Sequence, residues 1–299
     1  MNTTPKTSHS FLRNEVSMFW NLVKSNAEFS IPPFPIFTMA SLLHRGAAWY
    51  EVVVGLVYTL IYAFFYLYLF ELANQTARPE SLIEDKINKP NRPLVAKSMT
   101  PQSAKFRYYV GLAAWFAYSY ALGVHLWALF WFASIFVTYN LGLSAFGPTK
   151  DLFGALAMIA QLMPAGHIGG LNAPLGWHWT KVLVMWMFTT IGIQDLRDVP
   201  GDLAIGRRTT AILLGDVSAR IYYSVSLIVF GYIYIFQRVL ESRYDTSTLT
   251  VSAAIAALTA GIIFRLFVWR SIESDRVTYR CHTLLYILNV VAAVVCLRK

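Results

Sequence analysis

Two cysteines, Cys281 and Cys296, are the only thiols among 299 residues, and both fall in or beside the last apolar stretch. That number and placement exclude a disulfide framework and a thiolate metal centre, and the pair reads as buried apolar thiols. Charge is also scarce: charged residues make up 14% of the chain against 56% hydrophobic. Together with a mean hydropathy of +0.48 this excludes an ordinary water-soluble globule. No linker rich in Pro, Gly or Ser and no low-complexity tract divides the chain, so one transmembrane domain is expected over 31–299. Residues 1–30 mix polar, charged and apolar side chains without a continuous hydrophobic core, so they read as a cytosolic segment with a candidate entry helix and no cleavable signal. His125, His167 and His178 lack metal-ligand spacing; each is at most a minor candidate for a final proton acceptor.

What is present is a series of apolar runs near the roughly 20 residues that a helix needs to cross hydrocarbon. Nine are read, at 31–44, 50–73, 106–122, 124–146, 152–170, 178–194, 217–240, 249–269 and 279–297, which makes the chain an all-α integral membrane protein. Pro32, Pro33 and Pro35 break or delay the first run, and Phe19 to Lys24 are candidates for the same element. The net charge of +9 follows topology. Arg78, Lys86, Lys89, Arg92, Lys97, Lys105 and Arg107 crowd one loop, and Arg197, Arg207, Arg208 and Arg220 flank another, so both face the cytosol by the positive-inside rule. Nucleic acid is not an expected partner, because these cations interleave with carboxylates and apolar spans.

Two acidic clusters about 110 residues apart carry the chemistry. The first, from Glu71, reads ELANQTARPESLIEDKINKPNRP; the second, from Gln194, reads QDLRDVPGDLAIGRRTTAILLG. Each ends an apolar run, the second and the sixth, which hints at a recurring four-helix unit and puts both clusters at one membrane face. Asp195, Asp198 and Asp202, three and four residues apart, share one face of a continuing helix, although Pro200 and Gly201 bend that path. Carboxylates grouped at a membrane mouth repel one another, so a bound cation is the natural compensation. Asn74, Glu84 and Asp85 are the corresponding oxygen donors of the first cluster; Glu80 fits a solvated loop equally well. Mg²⁺ is the expected ion, because it shares its coordination with substrate phosphates. Arg92, Lys150, Arg207 and Arg208, with Lys24 if the first helix enters the bundle, are candidates to hold a diphosphate. A prenyl diphosphate fits both aspects of the chain: a charged head on metal and cations, and a hydrocarbon tail among helices. Tyr66, Phe70, Trp115, Tyr118, Tyr139 and Trp186 are candidate cavity walls whose ring faces stabilise a carbocation, though packing or a membrane-interface belt explains each ring singly.

The stretches DKINKPNRPL and DLRDVPGDLAIGRRTTAILLG resemble the two signature regions of the UbiA superfamily of intramembrane prenyltransferases, in order, spacing and placement after apolar runs two and six. The resemblance implies a helical bundle around a central apolar cavity, with Asp198 and Asp202 as the core of the second motif and Asp195 in support. Asn74 and Asp85 would mark the start and end of the first motif. That first motif departs from the usual regularly spaced aspartates: it runs from Asn74-Gln75 through Pro79 to Glu84-Asp85 and lacks the middle aspartate. In this it looks like the fungal membrane-bound sesquiterpene cyclases. The resemblance then implies Mg²⁺-dependent cyclisation of farnesyl diphosphate to a bergamotene-type hydrocarbon in fungal secondary metabolism, at the endoplasmic reticulum. Asp85, Asp198 and Asp202 would be catalytic. Transfer of a prenyl group to an aromatic or other small acceptor is the alternative. A transporter is disfavoured, because both acidic motifs lie at one face and not at the bilayer midplane.

Overall fold

The computed structural model describes the backbone of residues 8–298 and the side chains of residues 13–298. The described residues are almost wholly helical, and their single β-bridge joins Phe146 to Arg208. The helices in chain order are α1 (Ser8–Ser30), α2 (Pro33–Arg45), α3 (Trp49–Thr76), α4 (Pro79–Asn88), α5 (Pro101–Ala121), α6 (His125–Ile135), α7 (Gly147–Ile168) and α8 (Ala173–Thr190). They continue with α9 (Asp195–Ala204), α10 (Thr210–Leu214), α11 (Asp216–Tyr234), α12 (Thr246–Val268) and α13 (Ile272–Leu297). A π-helical turn extends α6 over Phe136–Asn140, another extends α11 over Ile235–Leu240, and a 3₁₀ turn joins α8 to α9 over Ile191–Gln194.

All nine expected apolar runs are mainly helical, yet they do not all have the length and hydropathy of membrane crossings. Among the described residues five helices are long and apolar enough to span a bilayer: Trp49–Thr76, Gly147–Ile168, Asp216–Leu240, Thr246–Val268 and Ile272–Leu297. The proline-rich start behaves as expected, since Pro33 opens α2 at a position where a missing N–H costs nothing. Phe19 to Lys24, however, belong to the separate helix α1, which packs on α3 and α13. Helix α2 lies beside α3, and the chain runs on through α5, α6, α7, α8, α11 and α12 to α13, each packed on the one before. Helix α13 then returns to α2 and closes a ring.

The outer faces carry exposed apolar side chains such as Ile61, Phe64, Tyr232, Phe236 and Phe264, as suits helices facing hydrocarbon on one side and protein on the other. The interior holds Tyr62, Tyr66, Trp115, Trp131, Trp179 and Trp186, all nearly inaccessible. Cys281 and Cys296 are free and half-buried, more open than the sequence suggested.

The short helices build the mouth of the ring. Pro79 sits in the first turn of α4, so the stretch read as a loop is helical there. Helix α9 carries Pro200 in its interior yet continues to Ala204, so the expected break at Pro200-Gly201 does not occur. Helices α4 and α9 pack on one another. Asn88 donates from its side-chain amide to the Asp198 carbonyl at 3.3 Å, and a Cβ at Gly201 would collide with the Asn88 side chain. Glycine is what lets the two acidic segments touch.

Candidate active site

The first acidic segment divides between packing and the cavity. Helix α3 ends with Glu71, Asn74 and Gln75, and α4 follows with Glu84 and Asp85. Arg92 donates to both Asp85 carboxylate oxygens, at 2.9 and 3.0 Å, and to Glu71 at 2.7 Å. All three side chains are buried, and Asn26 of α1 also donates to Glu71. Arg92 and Asp85 thus neutralise each other inside the wall, and neither lines the cavity. The sequence expects Arg92 to hold diphosphate and Asp85 to lead the metal ligands; the structure places both side chains in this buried ion-pair cluster. Asn74 and Glu84 do line the cavity.

The second segment is similarly split. Asp195 and Asp202 share a face of α9 and are fully buried. Lys150, one turn into α7, donates to Asp195 at 2.7 Å and lies 3.6 Å from Asp202. Asp198 faces the cavity with Arg197 at 3.5 Å. Arg207 reaches back from the loop after α9 to Asp202 at 3.1 Å and across to Glu84, tying the two segments together. The neighbouring Arg208 is exposed, and its backbone is held by the bridge to Phe146. Its side chain, expected from the sequence to hold diphosphate, is not among those lining the cavity. Lys24 is exposed on α1 and bonds Asn21 at 2.7 Å; it lines a neighbouring hollow and not this cavity.

Electrostatics keep the cavity-facing carboxylates charged. Burial opposes ionisation of Glu84, but Arg207, Lys89 and Lys150 outweigh it and hold its pKa below the usual carboxylate range. Burial opposes ionisation of Asp198 in the same way, and Arg197, Lys89 and Lys150 again prevail.

Beneath this polar mouth the cavity, about 860 Å³ including its opening, is walled by aromatic rings. Trp131 stacks on Tyr66 with centroids 4.4 Å apart and on Phe153 at 5.0 Å. Phe70 and Tyr139 pack edge-to-face at 5.7 Å. Tyr66, Phe70 and Tyr139 line the cavity. Trp115 packs behind them against Tyr62, Tyr118 turns outward to the Tyr58 carbonyl, and Trp186 stacks on His282 away from the cavity. These three pack outside the cavity lining; helical position alone does not say which sector of a ring faces inward.

Sequence reading did not assign Lys89, Trp131, Phe153, Gln194 or Tyr279 to the site, yet all line the cavity. Phe153, three residues after Lys150, shares its helix face and was findable from spacing. Trp131 and Tyr279 carry no such signal.

An oxygen-liganded divalent cation fits this mouth. Asn74, Glu84, Gln194 and Asp198 bring oxygen donors from both segments to one cavity, and Asp195 Oδ2 and Asp202 Oδ2 are buried without a hydrogen-bond partner among the described residues. No three His, Cys, Asp or Glu side chains among the described residues converge tightly enough to form a cage by themselves. Such an open donor set suits a small hard cation that keeps waters and phosphate oxygens in its shell.

A helical ring with two acidic segments over an aromatic-walled cavity defines a class of intramembrane enzymes that act on prenyl diphosphates. Residues 34–290 match the UbiA prenyltransferase family, and the chain belongs to it. It is 27% identical over 288 residues to somaliensene A/B synthase of Streptomyces somaliensis, covering 95% of this chain and 94% of that protein. It is 30% identical over 220 residues to polyprenyl transferase eriF of Hericium erinaceus, covering 69% and 72%. Fumagillin beta-trans-bergamotene synthase af520 of Aspergillus fumigatus is 27% identical over 206 residues, 66% of each chain. The fold superposes on a UbiA homolog from Archaeoglobus fulgidus bound to GPP and Mg²⁺ with a TM-score of 0.64, 17% identity and coverage of 93% and 99%. Similarity thus extends beyond fungal proteins to a bacterial synthase.

Proposed function

We propose that this enzyme is a Mg²⁺-dependent membrane terpene cyclase that ionises farnesyl diphosphate and closes the resulting carbocation to a bergamotene-type sesquiterpene hydrocarbon. The observation that carries the reading is the vertical order of one cavity: oxygen donors and cations at the mouth, five aromatic rings beneath. Mg²⁺, held by Asn74, Glu84, Asp198 and the diphosphate, would supply Lewis-acid stabilisation of the leaving group, with Asp195 and Asp202 in support. Arg207, Lys89 and Lys150 bind and orient the diphosphate oxygens and take up charge as the allylic C–O bond breaks. Tyr66, Phe70, Trp131, Tyr139 and Phe153 turn their rings to the tail, exclude water and stabilise the migrating cation. Loss of a proton ends the sequence and leaves a neutral hydrocarbon.

The two relatives named as synthases support cyclisation, and the transferase from Hericium supports the second reading, in which the same ionisation is followed by capture of an aromatic or other small acceptor. Membranes carrying the chain, incubated with farnesyl diphosphate and Mg²⁺ but no acceptor, discriminate between them. A volatile hydrocarbon is expected. Product that forms only after an aromatic acceptor is added replaces cyclase with transferase. Within this reading the protein resides in the endoplasmic reticulum membrane, and the basic loops support an acidic mouth toward the cytosol. A reporter near residue 95 and one near residue 205 should both be cytosolic.

A further inference from the structure

A second hollow opens beside the mouth, bordered by α1, α4, α9 and α13. Lys24, Lys89, Arg197, Arg276 and Arg280 line it, against only two carboxylates, Glu28 and Asp198. The balance is unlike that of the main mouth, where each buried cation has a close carboxylate. Here Arg280 lies 3.8 Å from Glu28 with both largely exposed, and Arg276 pairs only with the exposed Glu273 at 2.8 Å. Ser25 also lines the hollow, and its buried hydroxyl has no hydrogen-bond partner among the described residues. Phe29, Lys89, Asp198 and Tyr279 line both this hollow and the main cavity, so the two share a wall. Arg197 stacks its guanidinium 4.2 Å from the centre of the Tyr279 ring in that wall.

Breaking the allylic C–O bond leaves its electron pair on oxygen and produces two species of opposite solubility. The hydrocarbon can leave through apolar helix faces into lipid. Inorganic diphosphate cannot, because an unpaired multiple charge is too costly to move through hydrocarbon. We propose that the basic hollow is a binding site for inorganic diphosphate, which receives the leaving group past Lys89 and delivers it to water. The proposal rests on the reading of the enzyme as one that expels diphosphate. Its chemistry, several phosphate oxygens on a fork of lysine and arginine donors, is shared with anionic lipid headgroups.

The test uses the full chain in detergent and a double variant, Arg276→Gln with Arg280→Gln, which leaves the ionising machinery intact. Hydrocarbon formed in a single turnover should match wild type. The inhibition constant for added inorganic diphosphate should rise about fivefold, as befits two exposed charge contacts. The paired Arg→Lys variant should recover most of that loss. An unchanged inhibition constant overturns the proposal. Wild-type protein that yields no hydrocarbon in a single turnover sinks the cyclase reading instead, while calorimetric binding of diphosphate to wild type and double variant still tests the hollow. Vesicles of phosphatidylglycerol and of phosphatidylcholine decide the source of the phosphate. If the double variant loses phosphatidylglycerol binding but keeps wild-type inhibition by diphosphate, the hollow reads lipid headgroups and the exit role is overturned.

Discussion

The first acidic segment carries its own counter-charge: Arg92, seven residues after Asp85, clamps Asp85 and Glu71 inside the wall. The second pairs Arg207 with Asp202 and Arg197 with Asp198 within itself but borrows the cation that Asp195 needs. Lys150 comes from α7 to neutralise Asp195 and Asp202, and Arg207 reaches over to Glu84 of the other segment. A self-contained buried ion pair mostly holds structure, and removing one partner strands the other charge. A borrowed one couples distant elements, and in the proposed reaction its cations exchange a carboxylate for a substrate phosphate. The two segments therefore divide labour unequally, although their sequences look alike in composition.

Five substitutions probe that division. Asp198→Ala removes the cavity-facing carboxylate of the second segment and should cut turnover by about a thousandfold with insertion and fold retained, as expected when metal-assisted leaving-group stabilisation of several kcal/mol is lost. Near-normal turnover at low Mg²⁺ would remove Asp198 from the site. Arg92→Met attacks the first segment and should appear in stability, costing about 3–5 kcal/mol because Glu71 and Asp85 are left buried and unpaired. A thermal midpoint in detergent equal to wild type would show that the clamp is not structural. Asp85→Asn keeps the shape but weakens the clamp, at about 1–3 kcal/mol. Diphosphate release by the folded fraction should stay within about tenfold of wild type, since Asp85 does not face the cavity. Loss of release by orders of magnitude in well-folded protein would restore Asp85 to the metal site and erase the contrast between the segments. Arg208→Gln is the mildest change. Its exposed side chain predicts a stability shift within about 0.5 kcal/mol and unaltered turnover, whereas Arg207→Gln, one residue away, should lower turnover strongly. Equal effects of the two would contradict the inward and outward placement of these neighbours.

The class of fold and the two acidic segments are legible in the chain alone. Apolar runs long enough to be membrane helices, and carboxylates concentrated at their ends, are local properties of composition and period, and both survived into the structure. So did the family, which rests on the spacing of residues around Asp198 and Asp202. Helix count was less secure, because residues buried between other helices can be too polar or too short to register as spans although they are fully helical. The roles of individual charged residues were decided only in three dimensions. Nothing in the string ED…NRP says that Arg92 turns back on Asp85, and nothing in GRR says that Arg207 points in while Arg208 points out. The same holds for the aromatic wall. Trp115 and Trp131 have equal claims from composition, and only the closure of the ring from α2 round to α13 fixed which helix face became cavity. Charge pairing and inward orientation depend on which elements meet, over separations from 7 residues for Arg92 and Asp85 to 123 for Arg207 and Glu84, and in an interior with few charges each pairing decides how the next must fall.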